Sequence, residues 1–294
     1  LQQSWFTATS TNFIGGVPFD IRTFAVGSTE AQLLGARALT PETSKNRSAG
    51  ITWTPIPALT VTADAYQIDI ADRVVLSDNF VGDSIRAFFG RNGITGIGGG
   101  RFFTNAIDTR TRGVDVVASY ARDWGARGLS RFTAGYSQNK TNVTRERQVT
   151  PPQLGDLSEV LFSRVEEGRI EIGQPRTNLI LSATHEVSKF TFTVRGQRFG
   201  SVTSLQPAAQ AALDQTFSAK WITDVSLGLQ LRSGVQFTMG ADNLFDVYPD
   251  QNSNLGNPAA GVAGNSNFGI FRYPGISPFG FNGRFVYARL NIRL

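Results

Sequence analysis

The single histidine, His185, sits in the string HEVSK beside Glu186 and Ser188. Imidazole, carboxylate and hydroxyl are the groups of nucleophilic catalysis. Geometry makes a triad, however, and adjacency in sequence does not. HEVSK therefore reads as a polar turn at an interface. The sequence has no cysteine, which removes disulfides, thiolate chemistry and Cys-ligated zinc. The stretch GITGIGGGRFF, Gly93–Phe103, has glycines enough for a phosphate cradle. It lacks the closing Gly-Lys-Ser/Thr and a following helix, so it reads as a long flexible loop. Glu166-Glu167 and Asp69…Asp72 lack the spacing of a calcium loop. No catalytic residue, metal site or cofactor is expected, and the chain does not read as an enzyme. What remains is a set of guanidinium groups in or near long connections: Arg86, Arg91, Arg101, Arg145, Arg147, Arg164 and Arg169. Their planar forks suit an anionic ligand.

Those arginines need elements to carry them, and composition limits the choice. The 294 residues include 22 Phe, 6 Tyr and 4 Trp, too many aromatics for a disordered chain. No run of about 18 apolar residues is present, so no transmembrane helix is expected. A membrane barrel hides its lipid face in every second residue and is not excluded. The net charge is +5, but the arginines are scattered and form no basic block. Nucleic acid is therefore not an expected partner. The opening string LQQSWFTATSTNF has neither a basic n-region nor an apolar h-region, so it is not a signal peptide. The expectation is a chain that begins in the middle of something larger.

Helical periodicity is scarce; its best candidate is PAAQAALDQ, residues 207–215. Period-two alternation recurs along the chain. Ile51 and Trp53 alternate with Thr52 and Thr54; Leu59, Val61 and Ala63 with Thr60, Thr62 and Asp64. Near Ala65 the phase shifts, with Tyr66, Ile68 and Ile70 continuing the apolar set, and a β-bulge is expected there. Similar alternation marks 114–120, 131–136, 178–184, 190–195, 224–230 and 235–242. In the last strand Val286, Ala288, Leu290, Ile292 and Leu294 form the apolar, lipid-facing set. Short links at 55–58, 122–128, 186–189 and 232–234 take turns with long ones near 14–46, 77–104, 145–173, 200–216 and 247–279. Short turns at one end and long loops at the other are the layout of an outer-membrane barrel. Trp53, Tyr120 and Trp124 lie near the short turns, where an aromatic girdle would sit.

Five strings, in order, resemble the C-terminal half of TonB-dependent outer-membrane receptors. They are LTPETSKNRSAGITWTP (39–55), DAYQIDIADRV (64–74), TRTRGVDV (109–116), NLFD with YP (243–249) and FNGRFVYARLNIRL (281–294). Within them, Arg112, Gly113 and Asp115 match the family's Arg-Gly-x-Asp/Glu strand. Asn243, Leu244, Phe245, Asp246, Tyr248 and Pro249 match its penultimate-strand signature. Leu294 departs from the aromatic that usually ends such barrels. From the residues alone, Asn243 and Asp246 suit side-chain-to-backbone hydrogen bonds. Pro249 cannot donate to a ladder, so pairing should stop there. The motif is therefore expected to be structural.

The resemblance implies an all-β fold, an antiparallel transmembrane β-barrel segment of about ten strands from a presumed 22-strand barrel. Residues 1–294 would be the C-terminal part of that barrel, with plug domain and N-terminal strands absent. The implied function is energy-coupled uptake of a scarce nutrient across the bacterial outer membrane: a ferric siderophore, vitamin or carbohydrate. Implied partners are outer-membrane lipid and lipopolysaccharide, TonB through the missing N-terminal region, the barrel-assembly machinery and a small nutrient. The loop arginines would meet either the nutrient or lipopolysaccharide phosphates. The alternative is a complete small barrel acting as a passive pore or surface-interaction protein; a soluble all-β binding module is more distant.

Overall fold

A computed structural model describes residues 2–14, 17–146, 154, 161–253 and 271–293. Strands β1 (Ala8–Ile14) and β2 (Val17–Thr23) form a hairpin, followed by the short helix α1 (Thr29–Leu33). Then come the long strands β3 (Thr43–Ile56) and β4 (Leu59–Leu76), the short β5 (Phe80–Val81), helix α2 (Asp83–Arg91) and β6 (Gly99–Arg101). Strands β7 (Phe103–Asp123) and β8 (Leu129–Glu146) lead to helix α3 (Arg164–Glu171). Strands β9 (Thr177–Val187), β10 (Phe190–Phe199), β11 (Val202–Ser204), β12 (Gln215–Phe217), β13 (Lys220–Arg232), β14 (Val235–Asp242) and β15 (Phe285–Ile292) complete the chain.

Nine strands form one antiparallel sheet in the order β15-β14-β13-β10-β9-β8-β7-β4-β3. The sequence suggests about ten; residues 8–23 pair elsewhere. Four tight links join β3 to β4, β7 to β8, β9 to β10 and β13 to β14, all at one end. Two-residue hairpins need a positive φ to match strand twist. Ser188 supplies it at φ 53 and Gly234 at φ 75. The other ends open into long connections.

Alternation puts every second side chain on the same face. Across the register, Trp53, Val61, Ala118 and Ala134 share one rung, and Ile51, Ala63, Val116 and Tyr136 the next. The set continues through Leu181, Val194, Val225, Ala241 and Val286. This apolar face is solvent-exposed in the isolated sheet: Val286 is 70% and Ile51 67% accessible. The opposite face carries Thr62, Asp64, Asp115, Ser137, Asn178, Thr193, Ser226 and Tyr287. A wall apolar on one side and polar on the other matches a barrel between lipid and a wet lumen.

The bulge expected near Ala65 is absent. Gly50↔Asp64, Ala49↔Ala65 and Ser48↔Tyr66 pair without a break. Tyr66, Ile68 and Ile70 therefore turn to the polar face. The register shifts between Ile70 and Val74 instead, where Asp72 adopts φ 56 and its N–H donates to Asp108 Oδ1 at 2.9 Å. Tyr66 has a specific place: its ring lies over Gly113 on β7. An aromatic covering a cross-strand glycine packs surface that the glycine leaves bare.

The long connections do not dangle. Strand β6 pairs in parallel with β2 and antiparallel with β5. Around them a second core closes from Phe24, Leu34, Phe80, Ile85, Phe89 and Phe102. Helix α2 supplies Ile85, Phe88 and Phe89 at i, i+3 and i+4, one apolar stripe. Gly93–Phe103 is thus not a flexible loop throughout: Gly99 and Gly100 are paired and buried, with Phe24 packed against Gly100. PAAQAALDQ forms a 3-10 turn, Ala208–Leu213, rather than an α-helix.

Candidate functional site

The polar face forms a recess of about 610 Å³ near the long-loop end. Strand positions 115, 137, 139 and 178 supply Asp115, Ser137, Asn139 and Asn178, all on one side because each is two residues or one rung from the next. Ile180 and Phe199 give it apolar patches, and Gln174, Pro175 and Pro278 overhang it from loops. Phe199 stacks on Phe279 with ring centroids 5.6 Å apart. The lining is thus largely amide, hydroxyl and aromatic, with Asp115 the one charged side chain among the described residues. Such a surface can accept and donate hydrogen bonds and stack on a ring. Among the described residues, no group of three His, Cys, Asp or Glu side chains could hold a metal.

The NLFD…YP string forms the turn beside this region. Asn243 takes φ 51 and Asp246 φ 57. Asn243 Nδ2 donates to Val247 O at 2.8 Å, and Val247 N–H donates to Asn243 Oδ1 at 2.9 Å. The Asn243 N–H donates to Asp224 Oδ1 at 2.8 Å, while Arg195 Nη2 holds Asp224 Oδ2 at 2.6 Å. The turn is thereby pinned to the wall. Asp246 Oδ1 accepts from the Arg284 N–H, just before β15. Leu244 is half-buried and Phe245 is exposed. Tyr248 stacks on Tyr273 at 5.7 Å, and Pro249 is buried. Close by, Lys220 Nζ meets Asp250 Oδ1 at 2.6 Å. Burial opposes charge on Asp250, but hydrogen bonds from Lys220 and Ser218 outweigh it and hold the carboxyl at about 2.

Of the remaining motif residues, Arg112 and Asp115 lie on opposite faces of β7, with Gly113 beneath Tyr66. Asp115 faces the recess and Arg112 the apolar side. Val286, Ala288, Leu290 and Ile292 lie together on the apolar face of β15, with Val286, Leu290 and Ile292 exposed. Leu294 and Arg147 lie outside the described residues.

The arginines singled out from sequence do not gather at the recess. Arg86 pairs with Asp83 one turn away on α2. Arg145 stands at the end of β8, 4.0 Å from Asp108. Arg164 grips Asp214 with two bonds, 2.9 and 2.7 Å, and also donates to Gln206 O. This hydrogen-bonded pairing lowers the Asp214 pKa. Arg169 meets Glu166 at 2.5 Å; burial pushes the Glu166 carboxyl up and Arg169 pulls it partly back. Arg101 Nε donates to Thr23 Oγ1 at 3.0 Å, and burial lowers its pKa. Arg91 closes α2, where a cation suits the helix dipole. Arg164 and Arg101 thus join separate segments, while Arg86 and Arg169 pair within their own helices. His185 accepts or donates through Nδ1 to Ser130 Oγ at 2.9 Å, and Trp124 Nε1 donates to the same hydroxyl at 3.0 Å. That chain lies at the short-turn end, far along the strands from the recess.

Sequence reasoning missed Asn139, Asn178 and Phe199. Their alternation with apolar neighbours was the signal for the face, but nothing local marks the recess.

No curated protein matches the sequence. Solved structures do match the fold. The FrpB iron transporter from Neisseria meningitidis is 15% identical, with 86% of this chain and 32% of that one covered and a TM-score of 0.55. The ferric-catecholate import receptor Fiu from E. coli K12 is 15% identical over 97% of this chain and 32% of its own, with a TM-score of 0.53. The copper transporter OprC is 15% identical over 87% and 32%, also at 0.53. At that identity the likeness is one of fold, and the chain spans about a third of the length of these structures. A family model described as TonB dependent receptor-like, beta-barrel, matches residues 3–244. With that match over most of its length, the chain belongs to the TonB-dependent receptor-like β-barrel family.

Proposed function

We propose that this chain is the C-terminal part of an outer-membrane receptor barrel that takes up a scarce nutrient with energy from TonB. The observation that carries the reading is the recess on the polar wall, roofed by packed loops at the long-loop end. A ligand arriving from outside would meet the loops first and the lumen wall next. The plug and the TonB-contacting segment would lie in sequence outside these residues. The lining of Asn139, Asn178, Ser137 and Phe199 suits a hydroxyl-rich or ring-bearing molecule. A siderophore, vitamin or carbohydrate has those groups. The paired loop arginines offer less to an anionic chelate than their number suggests. Among the structures named above, one is a ferric-catecholate import receptor, and on this reading the recess would recognise the organic part of such a ligand.

Two measurements test this. The intact mass of the native protein carrying these peptides is expected at several times the 31.9 kDa of this chain. Cells should accumulate the ligand only with TonB present and the membrane energised. Accumulation that persists without TonB would replace the reading with a passive pore.

A further inference from the structure

Helix α3 leads straight into the overhang of the recess. Gln174 and Pro175 follow its last residue, Glu171, within four positions. The stretch between is stiff. The Ile172 and Gly173 N–H groups both donate to Gly168 O, at 2.9 and 2.7 Å. A side chain at Gly173 would strike the Arg169 backbone, so the chain turns back tightly on the helix. Both ends of the helix are anchored. Arg164 grips Asp214 at the first turn. Beyond the last turn, Glu171 Oε1 accepts from the Val143 N–H of β8 at 2.7 Å. Ile172 O accepts from the Thr203 N–H of β11 at 2.9 Å. Between the anchors, Ile170 packs on the cluster of Ala106, Ile107 and Phe162, and Gly168 lies against Leu205. The helix is thus a strap whose seating places Gln174 and Pro175.

The charges under the strap are unevenly matched. The Glu166 side chain is only 18% exposed. Its own helix gives it Arg169, at 2.5 Å. Across the joint it feels Asp78, just after β4, and Arg101 on β6. Burial and Asp78 oppose its charge, and the two guanidinium groups favour it. Burial wins and holds the carboxyl above its ordinary 4.5. Glu167 is pushed the same way by burial and by Glu171 and Glu146, against the pull of Arg164. Ionised, both carboxylates work against docking. A carboxyl raised in the seated helix binds its proton more tightly there than in the released one. Seating therefore strengthens as pH falls through the raised value, and the gain is complete below about 4.5. The clasp at the other end runs the opposite way. Arg164 lowers the Asp214 carboxyl from 3.8, so the clasp holds above that value and fades only below it.

We propose that α3 is an acid-tightened strap. With Glu166 neutral among Asp78, Arg101 and Arg169, and Glu167 neutral beside Glu171, Glu146 and Arg164, the helix seats on β8 and β11 and fixes the overhang of the recess. Its bearing on uptake rests on the reading of the recess as the nutrient's station; the tightening itself does not.

The test is hydrogen exchange at the Val143 and Thr203 amides, which donate to α3 acceptors. It is read by mass spectrometry on the complete receptor in detergent, without nutrient, and corrected for the intrinsic pH dependence of exchange. Protection at both amides should rise by about tenfold between pH 7.5 and pH 5, the equivalent of one pKa unit. E166Q/E167Q should be as protected at pH 7.5 as the unaltered receptor is at pH 5. D78N removes a like charge and should move the midpoint to lower pH; R169Q removes a cation and should move it higher. If the double variant does not fold, those opposite shifts still decide. Flat protection in the unaltered receptor would overturn the proposal. So would a pH response that survives E166Q/E167Q, or midpoints that D78N and R169Q leave in place. Because neither nutrient nor TonB is present, failure here and failure of TonB-driven uptake are separate results.

Discussion

A methyl group added at Gly113 would land 2.3 Å from Tyr66 Cζ, closer than packed carbons approach. Gly113→Ala should therefore cost about 1–3 kcal/mol of unfolding free energy in the purified receptor. The same substitution in a Tyr66→Ala background should cost far less, and a double-mutant cycle measures the difference. Asn243 combines a left-handed backbone with two side-chain bonds to Val247. Asn243→Ala should lose about 2 kcal/mol, and Asn243→Gly less, because glycine keeps the φ while losing the bonds. Chemical denaturation of the two variants checks the order. Residue types forecast half of this turn: Asn243 bonds to Val247 four positions on, whereas Asp246 accepts from the Arg284 N–H thirty-eight positions away. They forecast the arginines poorly. Arg164 is held by Asp214, fifty positions away, and no local pattern announces such a partner.

The loop elements form a body of their own, with Phe89 fully buried at its centre. Phe89→Ala should cost this cap about 3–5 kcal/mol while leaving the wall intact. Limited proteolysis should then cut within 77–102 and spare the strands. The β12–β13 approach has a pH signature. Asp250 titrates at about 2, below its ordinary value of 3.8. A depressed carboxyl stabilises the fold above the ordinary value. The Lys220–Asp250 link should thus be whole above about pH 4 and fade between about pH 4 and 2. Exchange of the Ser218 amide, which donates to Asp250, reads that loss. Strands were legible in sequence because period two is imposed by a two-faced wall. The cap was not, because Phe24, Phe80 and Phe102 come from separate segments and only meet in space. Tyr66, Ile68 and Ile70 misled for a related reason: they are apolar on the polar face, beyond the rungs where the other face is continuously apolar.

The wall as a whole has two edges. Strands β3 and β15 each pair with one neighbour among the described residues. Unpaired backbone cannot be satisfied by hydrocarbon, so both edges need further strands in a membrane. In the complete receptor the outward amides of β3 and β15 should exchange as slowly as those of β9. In this chain alone, held in detergent, they should exchange much faster. Equal protection in the two samples would mean that these nine strands close on themselves. The architecture of one wall was readable from alternation and from short links trading places with long ones. The size of the ring was not, because each strand records its two faces and says nothing of how many neighbours complete the circle.

The parallel pairing of β2 with β6 joins residues 21–23 to residues 99–101 across a gap of more than seventy positions. Either segment transplanted alone into a related receptor would arrive with half a core and an orphaned strand. Chimeras that exchange 17–41 and 77–102 together should fold, whereas single-loop grafts should not. By the same logic, descent would hand these two stretches down as a single unit, drifting in step with each other rather than with the strands between them.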